Sequence, residues 1–302
     1  MRAIPISCNP FRKVCAVALL WMLAGCTGGI AEFSGPNAPS FVPFPDGAKP
    51  KVALVLGAGG PRGFALIGVL KVLEENGIDA DLVVGNSVGS IIGALYADGV
   101  KAAELERIAM AFDPKSFLGV SFSGVSGRGG AIESFVNDHI GGKPLQGLKK
   151  HMAMTAMRTS DHALVTFTHG DAGAAARASS ATPRQFLPVR INGIEYIDGD
   201  EATPVPILAA RQLGARVVIA VDVSAYESAI PPEAPPEWTV RDRKRAALVA
   251  GEAVAADVLI HPDLGYYAGI SDRYRTMCIA RGEAAARTAL PTIKAVLAKL
   301  AH

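Results

Sequence analysis

The chain is poor in cysteine, in aromatic residues and in net charge. Cysteine occurs four times in 302 residues, at Cys8, Cys15, Cys26 and Cys278, and three of these fall in the first 26 positions. The remaining body therefore holds no pair that could close an internal disulfide. Cys278 stands among Thr276, Met277, Ile279 and Ala280 and reads as a buried core thiol, not a nucleophile. Aromatic residues make up 6% and charged residues 19%, against 50% apolar. That is the balance of one large globular domain and not of a disordered or fibrous chain. The formal net charge is only +2, and the first 13 residues supply three basic groups, Arg2, Arg12 and Lys13. The body is then near neutral, which excludes the basic footprint of a nucleic-acid binder. No grouping of His, Cys, Asp and Glu has metal-ligand spacing, so neither a metal nor a cofactor is expected.

The N-terminus is read separately from the fold. Arg2, Arg12 and Lys13 form a positive region, and Val14 to Leu23 is an apolar run of about ten residues, short of the roughly 20 that a spanning helix needs. The run ends in Leu23-Ala24-Gly25-Cys26, similar to the lipobox of bacterial lipoproteins, in which the cysteine is lipidated and becomes the new N-terminus. The alternative is an ordinary secretory signal with a chance cysteine. We expect residues 1–25 to be a signal peptide, Cys26 to carry lipid and residues 26–50 to be a flexible tether. Thr27 to Pro50 is rich in Gly, Pro, Ser and Asn without apolar periodicity. Such a tether holds a domain on the order of 25–30 Å from its anchor. Thr27 stands where an aspartate would signal inner-membrane retention, so the expected location is the bacterial outer membrane, facing the periplasm.

From Lys51 onward, strands and helices alternate. Val52 to Leu56 reads as a buried strand, Leu66, Val69, Leu70 and Leu73 mark a helix that Gly77 closes, and Leu82 to Val84 reads as a second strand before a helix from Val88 to Ala97. Leu164–Thr168, Tyr196–Ile197, Val217–Val221 and Val258–Ile260 read as further strands. Ala172–Ser180 and Pro206–Leu213 read as helices, and Gly282–Leu300 as a closing helical segment broken at Pro291. This alternation predicts a single α/β domain over 51–302, a mostly parallel central sheet in a three-layer α/β/α arrangement. Ser116–Gly130, rich in Gly and Ser, and Pro231–Trp238, with four prolines, are either access loops or plain surface excursions.

Gly85-Asn86-Ser87-Val88-Gly89 is a G-x-S-x-G sequence between a predicted strand and a predicted helix, the context such a motif requires. A strand that turns abruptly into a helix forces the residue at the bend into a strained conformation. Neighbours without a Cβ let the two backbones pass, and the hydroxyl of Ser87 stands clear at the carboxyl end of the sheet. A helix N-cap with packing glycines is the bland alternative. Gly57-Ala58-Gly59-Gly60-Pro61-Arg62-Gly63 also follows a strand and opens a helix. It departs from G-x-G-x-x-G, because Arg62 occupies the sixth position, and no Gly-Lys-Ser/Thr follows, so nucleotide loops fit it poorly. As an oxyanion hole, Gly57, Gly59, Gly60, Arg62 and Gly63 would turn N–H groups toward the neighbouring Ser87 turn. The Arg62 side chain would be either a brace or a charge aimed at phosphate or carboxylate.

A serine hydroxyl needs a base. His169 and His261 follow strands but lack a distinctive context. Asp198 ends a strand and precedes Gly199, and it is either that base or a turn aspartate capping its own backbone. With the glycine loop, the Gly85–Gly89 elbow and the late Asp198-Gly199 in this order, the chain resembles the patatin-like phospholipases from Lys51 to about Val223. The similar stretch includes Ala178-Ser179-Ser180-Ala181-Thr182-Pro183 and Val217–Asp222. The resemblance implies a Ser87–Asp198 dyad without histidine, an acyl-enzyme, an oxyanion held near Gly59–Gly60 and a lipid or acyl-ester substrate. One position departs from the family: Asp200 stands where Asp-Gly is usually followed by Gly or Ala. Asp200 is either a tolerated loop change or a second carboxylate that raises the proton affinity of Asp198 or partly blocks the site. A patatin-like protein that binds lipid without hydrolysing it is the competing expectation.

Overall fold

The computed structural model describes residues 29–45, 50–113 and 129–300. The nine strands among them are β1 (Ala31–Phe33), β2 (Val52–Leu56), β3 (Leu82–Asn86), β4 (His151–Arg158), β5 (Leu164–Phe167), β6 (Val189–Ile191), β7 (Ile194–Asp198), β8 (Val217–Val221) and β9 (Val258–Ile260). They form one sheet in the order β1-β6-β7-β4-β3-β2-β8-β9, with β5 paired to β4 off this path. The centre is parallel, β4 to β3 to β2 to β8 to β9, while β7 runs antiparallel to β4 and β6. The α-helices among the described residues are α1 (Phe64–Glu75), α2 (Val88–Ala97), α3 (Ala102–Ala111), α4 (Gly130–Ile140), α5 (Ala172–Ser179), α6 (Ile207–Gln212), α7 (Pro236–Ala253) and α8 (Asp272–Ala298).

The apolar runs explain the layers. β2 is buried at all five residues, but its side chains divide by parity. Val52, Leu54 and Leu56 join one core with α1, α2, α4, α5 and α8. Ala53 and Val55 join a second core with α6 and Val249 of α7. A parallel sheet covered on both faces is what such continuous apolar strands require. The expected α/β fold with a mostly parallel central sheet is therefore found. Among the described residues no helix is long and apolar enough to cross a membrane.

Three local expectations change. The stretch expected to be a tether supplies β1, which pairs in parallel with β6, while Ser40 bridges to His169. Ala38 is buried and Phe33 packs against the core, and β1 covers a sheet edge that would otherwise expose unpaired backbone groups. Pro291 does not break the closing helix, and α8 runs from Asp272 to Ala298 with Ala286 and Ile293 buried on either side of the proline. That packing compensates for one lost backbone hydrogen bond. Pro236 opens α7 at its first turn, so only the beginning of the Pro231–Trp238 stretch is a loop. The Ser116–Gly130 stretch, apart from its last two residues, and Cys26 with its leader lie outside the described residues. Cys278 is buried, as expected.

The tightest contact between helices joins α1 and α8. A Cβ added at Gly68 would lie 2.0 Å from the carbonyl oxygen of Ile279, and one at Gly282 would lie 2.0 Å from that of Ala65. Both obstacles are backbone, so neither can swing away. Gly68→Ala is expected to destabilise the fold by about 3 kcal/mol in urea denaturation, at the upper end of overpacking effects; a neutral result would show that the helices can separate.

Candidate active site

Two registers on β4 bring the site together. Asn86, the last residue of β3, pairs with Thr155, and Asp198, the last residue of β7, pairs with the adjacent Ala156. Ser87 follows Asn86, so the chain ends carrying Ser87 and Asp198 lie side by side. The Ser87 hydroxyl donates to Asp198 Oδ2 at 2.8 Å.

The turn at Ser87 is built by steric necessity. Its φ of 52° and ψ of −123° lie where side-chain-bearing residues are strained. A Cβ at Gly85 would come within 2.6 Å of the Gly89 carbonyl oxygen, and one at Gly89 within 2.0 Å of that of Leu56. The glycines thus let α2 fold back over the ends of β2 and β3. The bend is fixed by Ser87 N–H, which donates to Ser179 Oγ at 2.9 Å, and by Ser90 Oγ, which donates to the Ser87 carbonyl at 2.6 Å. Asn86, fully buried, donates from Nδ2 to the Thr203 carbonyl at 2.7 Å.

Asp198 is 2% exposed and accepts three hydrogen bonds. Thr182 Oγ1 and Ser87 Oγ donate to Oδ2, at 2.7 and 2.8 Å, and the Asp200 N–H donates to Oδ1 at 2.9 Å. Gly199 lets this carboxylate sit so deep, because a Cβ there would lie 2.3 Å from Asn86 Oδ1. Burial first, and the charge of Asp200 second, push the Asp198 carboxyl up to about 7, against the opposing effect of its three donors. Asp200 itself pairs with Arg245 of α7, and its buried Oδ1 has no partner among the described residues. It does not line the cavity in front of Ser87, so the second carboxylate acts through its charge and does not obstruct.

The glycine loop divides by function. The Gly57 N–H donates to the Val221 carbonyl at 3.0 Å and that of Ala58 to the Pro204 carbonyl at 2.8 Å, while the Arg62 N–H turns back to Gly59. Gly57 and Arg62 are therefore not oxyanion donors, contrary to expectation: their N–H groups continue the sheet edge and close a turn. Gly63 provides contact, since a Cβ there would lie 2.4 Å from Val88 Cγ2. The N–H groups of Gly59, Gly60 and Val88 carry no hydrogen bond among the described residues, and Gly60 and Val88 line the same cavity as Ser87. The Arg62 side chain donates to the Tyr266 carbonyl and is a brace.

That cavity measures about 510 Å³ and is walled by Phe64, Ile91, Ile108, Phe135 and Phe186. A larger cavity of about 700 Å³ lies at the opposite, amino end of the strands, by Lys51, Asp81 and His151, and holds His169. His261 rests with Nδ1 3.5 Å from Asp222 and Nε2 3.1 Å from the Ser224 carbonyl. Neither histidine reaches Ser87. Ser179 and Thr182, which hold the elbow and the carboxylate, carry no sequence signal beyond standing in a stretch similar to the family.

The sequence model of the patatin-like phospholipases matches residues 54–211. The chain belongs to that family. It is 30% identical over 210 residues to an uncharacterised NTE family protein of Mycobacterium tuberculosis, covering 67% of this chain and 57% of that protein. It is 32% identical over 192 residues to a lysophospholipase of Coccidioides immitis, covering 60% of this chain and 12% of that protein. The chain thus spans little more than half the length of its mycobacterial relatives and a small part of the fungal one. Among solved structures, VipD of Legionella pneumophila shares the fold with a TM-score of 0.56 at 12% identity, over 91% of this chain and 73% of that one.

Two stability measurements probe this geometry. Ser87→Gly should be more stable than Ser87→Ala by about 1 kcal/mol, because glycine relieves the strain at positive φ; the reverse order in urea denaturation would mean the turn is unstrained. The folded Asp198 binds its proton more tightly than an unfolded carboxyl near 3.9. Its contribution to stability is thus whole below about pH 4 and is lost as the pH rises through about 7. Asp198→Asn should consequently melt higher than the native protein at pH 8 and together with it at pH 4.

Proposed function

We propose that this protein is a serine acyl-hydrolase in which Ser87 is the nucleophile and Asp198 the base. The observation that carries the reading is the 2.8 Å hydrogen bond between a strained, cavity-facing serine and a buried carboxylate. Asp198 takes the Ser87 proton as Oγ attacks the ester carbonyl, and the N–H groups of Gly60 and Val88, which line the same cavity, together with that of Gly59, are the donors we assign to the oxyanion. The alcohol leaves with the proton, and water activated by the same carboxylate then releases the acid. The apolar cavity suits an acyl chain, so a phospholipid, lysophospholipid or simple ester is the substrate class. The family and the name of the fungal relative favour lipid esters.

A carboxylate near its ordinary value would be a feeble base at neutral pH, and the burial of Asp198 removes that objection. With the lipobox-like Leu23–Cys26, the reading extends to an enzyme tethered to the bacterial envelope. Incorporation of labelled palmitate into the full chain, lost in Cys26→Ala, is the expected result there.

Ser87→Ala and Asp198→Asn should each reduce hydrolysis of short acyl esters by at least about a thousandfold, and a fluorophosphonate probe should label the native protein but not Ser87→Ala. Absence of labelling in the native protein would favour a lipid-binding role instead. The acidic limb of kcat/KM should fall near pH 7, since activity requires ionised Asp198. Asp200→Gly keeps the N–H bond to Asp198 and removes the neighbouring charge, so the limb should move to lower pH; an unmoved limb would show that the two carboxylates act independently.

A further inference from the structure

Arg275, in the first turn of α8, is 4% exposed and has no carboxylate partner among the described residues. A buried guanidinium is maintained only where many acceptors compensate it. Here Nη1 donates to the carbonyls of Ala109, Met110 and Phe112, at 2.9, 3.2 and 2.8 Å, and Nε donates to that of Ile270 at 3.1 Å. The first three are the carbonyls at the end of α3, which lack partners within the helix and present the negative end of its dipole. The guanidinium carbon also lies 5.4 Å from the centre of the Phe64 ring, over its face.

Four of the residues so gathered, Phe64, Ala109, Phe112 and Ile270, line the cavity that opens from Ser87. They come from the start of α1, the end of α3 with the residue beyond it, and the loop before α8. Lys71 of α1 pairs farther along with Glu106 of α3 and Glu283 of α8, but Arg275 joins these segments at the cavity wall itself, where Ile270 is 48% exposed. Among the described residues Arg275 makes no hydrogen bond or ion pair to Ser87, Asp198, Thr182 or the glycines of the loop, so its influence falls on the chain-holding walls and not on the reacting atoms.

Resting on the reading of this cavity as an acyl site, the geometry points to Arg275 as a specificity-determining positioning residue that fixes the walls for a long acyl chain and so sets chain-length preference. Arg275→Met keeps much of the side chain's length and removes all four hydrogen bonds and the cation. Arg275→Lys keeps a cation over Phe64 but not a planar fork able to reach both α3 and Ile270.

The test uses the full chain and two readouts. Hydrolysis of p-nitrophenyl butyrate and palmitate gives the chain-length ratio of kcat/KM. Displacement of cis-parinaric acid by palmitic acid from Ser87→Ala protein reads the cavity without catalysis. In Arg275→Met the palmitate-to-butyrate ratio should fall by about tenfold or more, through KM, with butyrate hydrolysis and its acidic limb little changed. Palmitic acid should bind correspondingly more weakly, and Arg275→Lys should lie between the two. Equal losses on both esters, or an unchanged ratio, would overturn the proposal. Should Arg275→Met fail to fold, a native ratio in Arg275→Lys would overturn it alone. If the native chain binds palmitic acid but hydrolyses neither ester, the nucleophile assignment fails, and the binding measurement still decides the role of Arg275.

Discussion

The contact between Ser87 and Asp198 joins residues 111 apart in sequence at 2.8 Å, and it depends on the register of one strand. β4 holds Asn86 opposite Thr155 and Asp198 opposite Ala156. A slip of one residue on either side would turn one of the two side chains to the other face of the sheet, because side chains alternate along a strand. The antiparallel β7 is essential to this arrangement. It runs against β4, so its last residue reaches the site from the direction opposite to β3. The mixed character of an otherwise parallel sheet is therefore what allows a strand-end serine and a strand-end carboxylate to meet.

Around that contact, hydrogen bonds link the two halves of the site. Asn86 binds the Thr203 carbonyl, and the neighbouring Pro204 carbonyl accepts from Ala58 in the glycine loop. Displacing the loop would thus disturb the segment after Asp198, and disturbing that segment would reach the elbow. A similar link runs outward on the carboxylate side: Asp198 accepts from the N–H of Asp200, and Asp200 pairs with Arg245. Burial alone would favour neutralising both carboxylates. The cation of Arg245 opposes this at Asp200, and an ionised Asp200 in turn disfavours ionisation of Asp198. The Asp200 departure from the family pattern therefore places a second carboxylate where it raises the proton affinity of Asp198.

How much of this the sequence disclosed follows from how local each cause is. Gly85, Ser87 and Gly89 were legible because the steric problem of a strand turning into a helix is solved within five residues. The α/β class was legible because β2 and β8 are uninterrupted apolar runs. β4 was not, since Met152, Ala153, Met154 and Ala156 give no β-branched signature and owe their strand state to β3, β5 and β7. The division of labour in the glycine loop was hidden for the same reason: whether the Gly57 N–H is free depends on Val221, far along the chain. β1 was hidden too, because three residues in a polar, glycine-rich stretch become a strand only when an open sheet edge is beside them.

The same distinction separates the two ends of the cavity. At the Ser87 end, the positions are set chiefly by backbone, by strand registers, a positive-φ turn and the start of a helix, with Ser179 and Thr182 holding the two groups. Such a frame tolerates substitutions around it, because its geometry comes from the sheet. At the other end, Phe64, Ala109, Phe112 and Ile270 belong to three segments with no shared strand or helix, and one buried guanidinium donates to or lies over elements of all three. A wall whose segments are joined at the cavity by one guanidinium is sensitive to changes in that side chain. The Ser87–Asp198 pair is consequently held by the sheet, while the far wall of the cavity rests on a part that substitution can alter without touching the elbow.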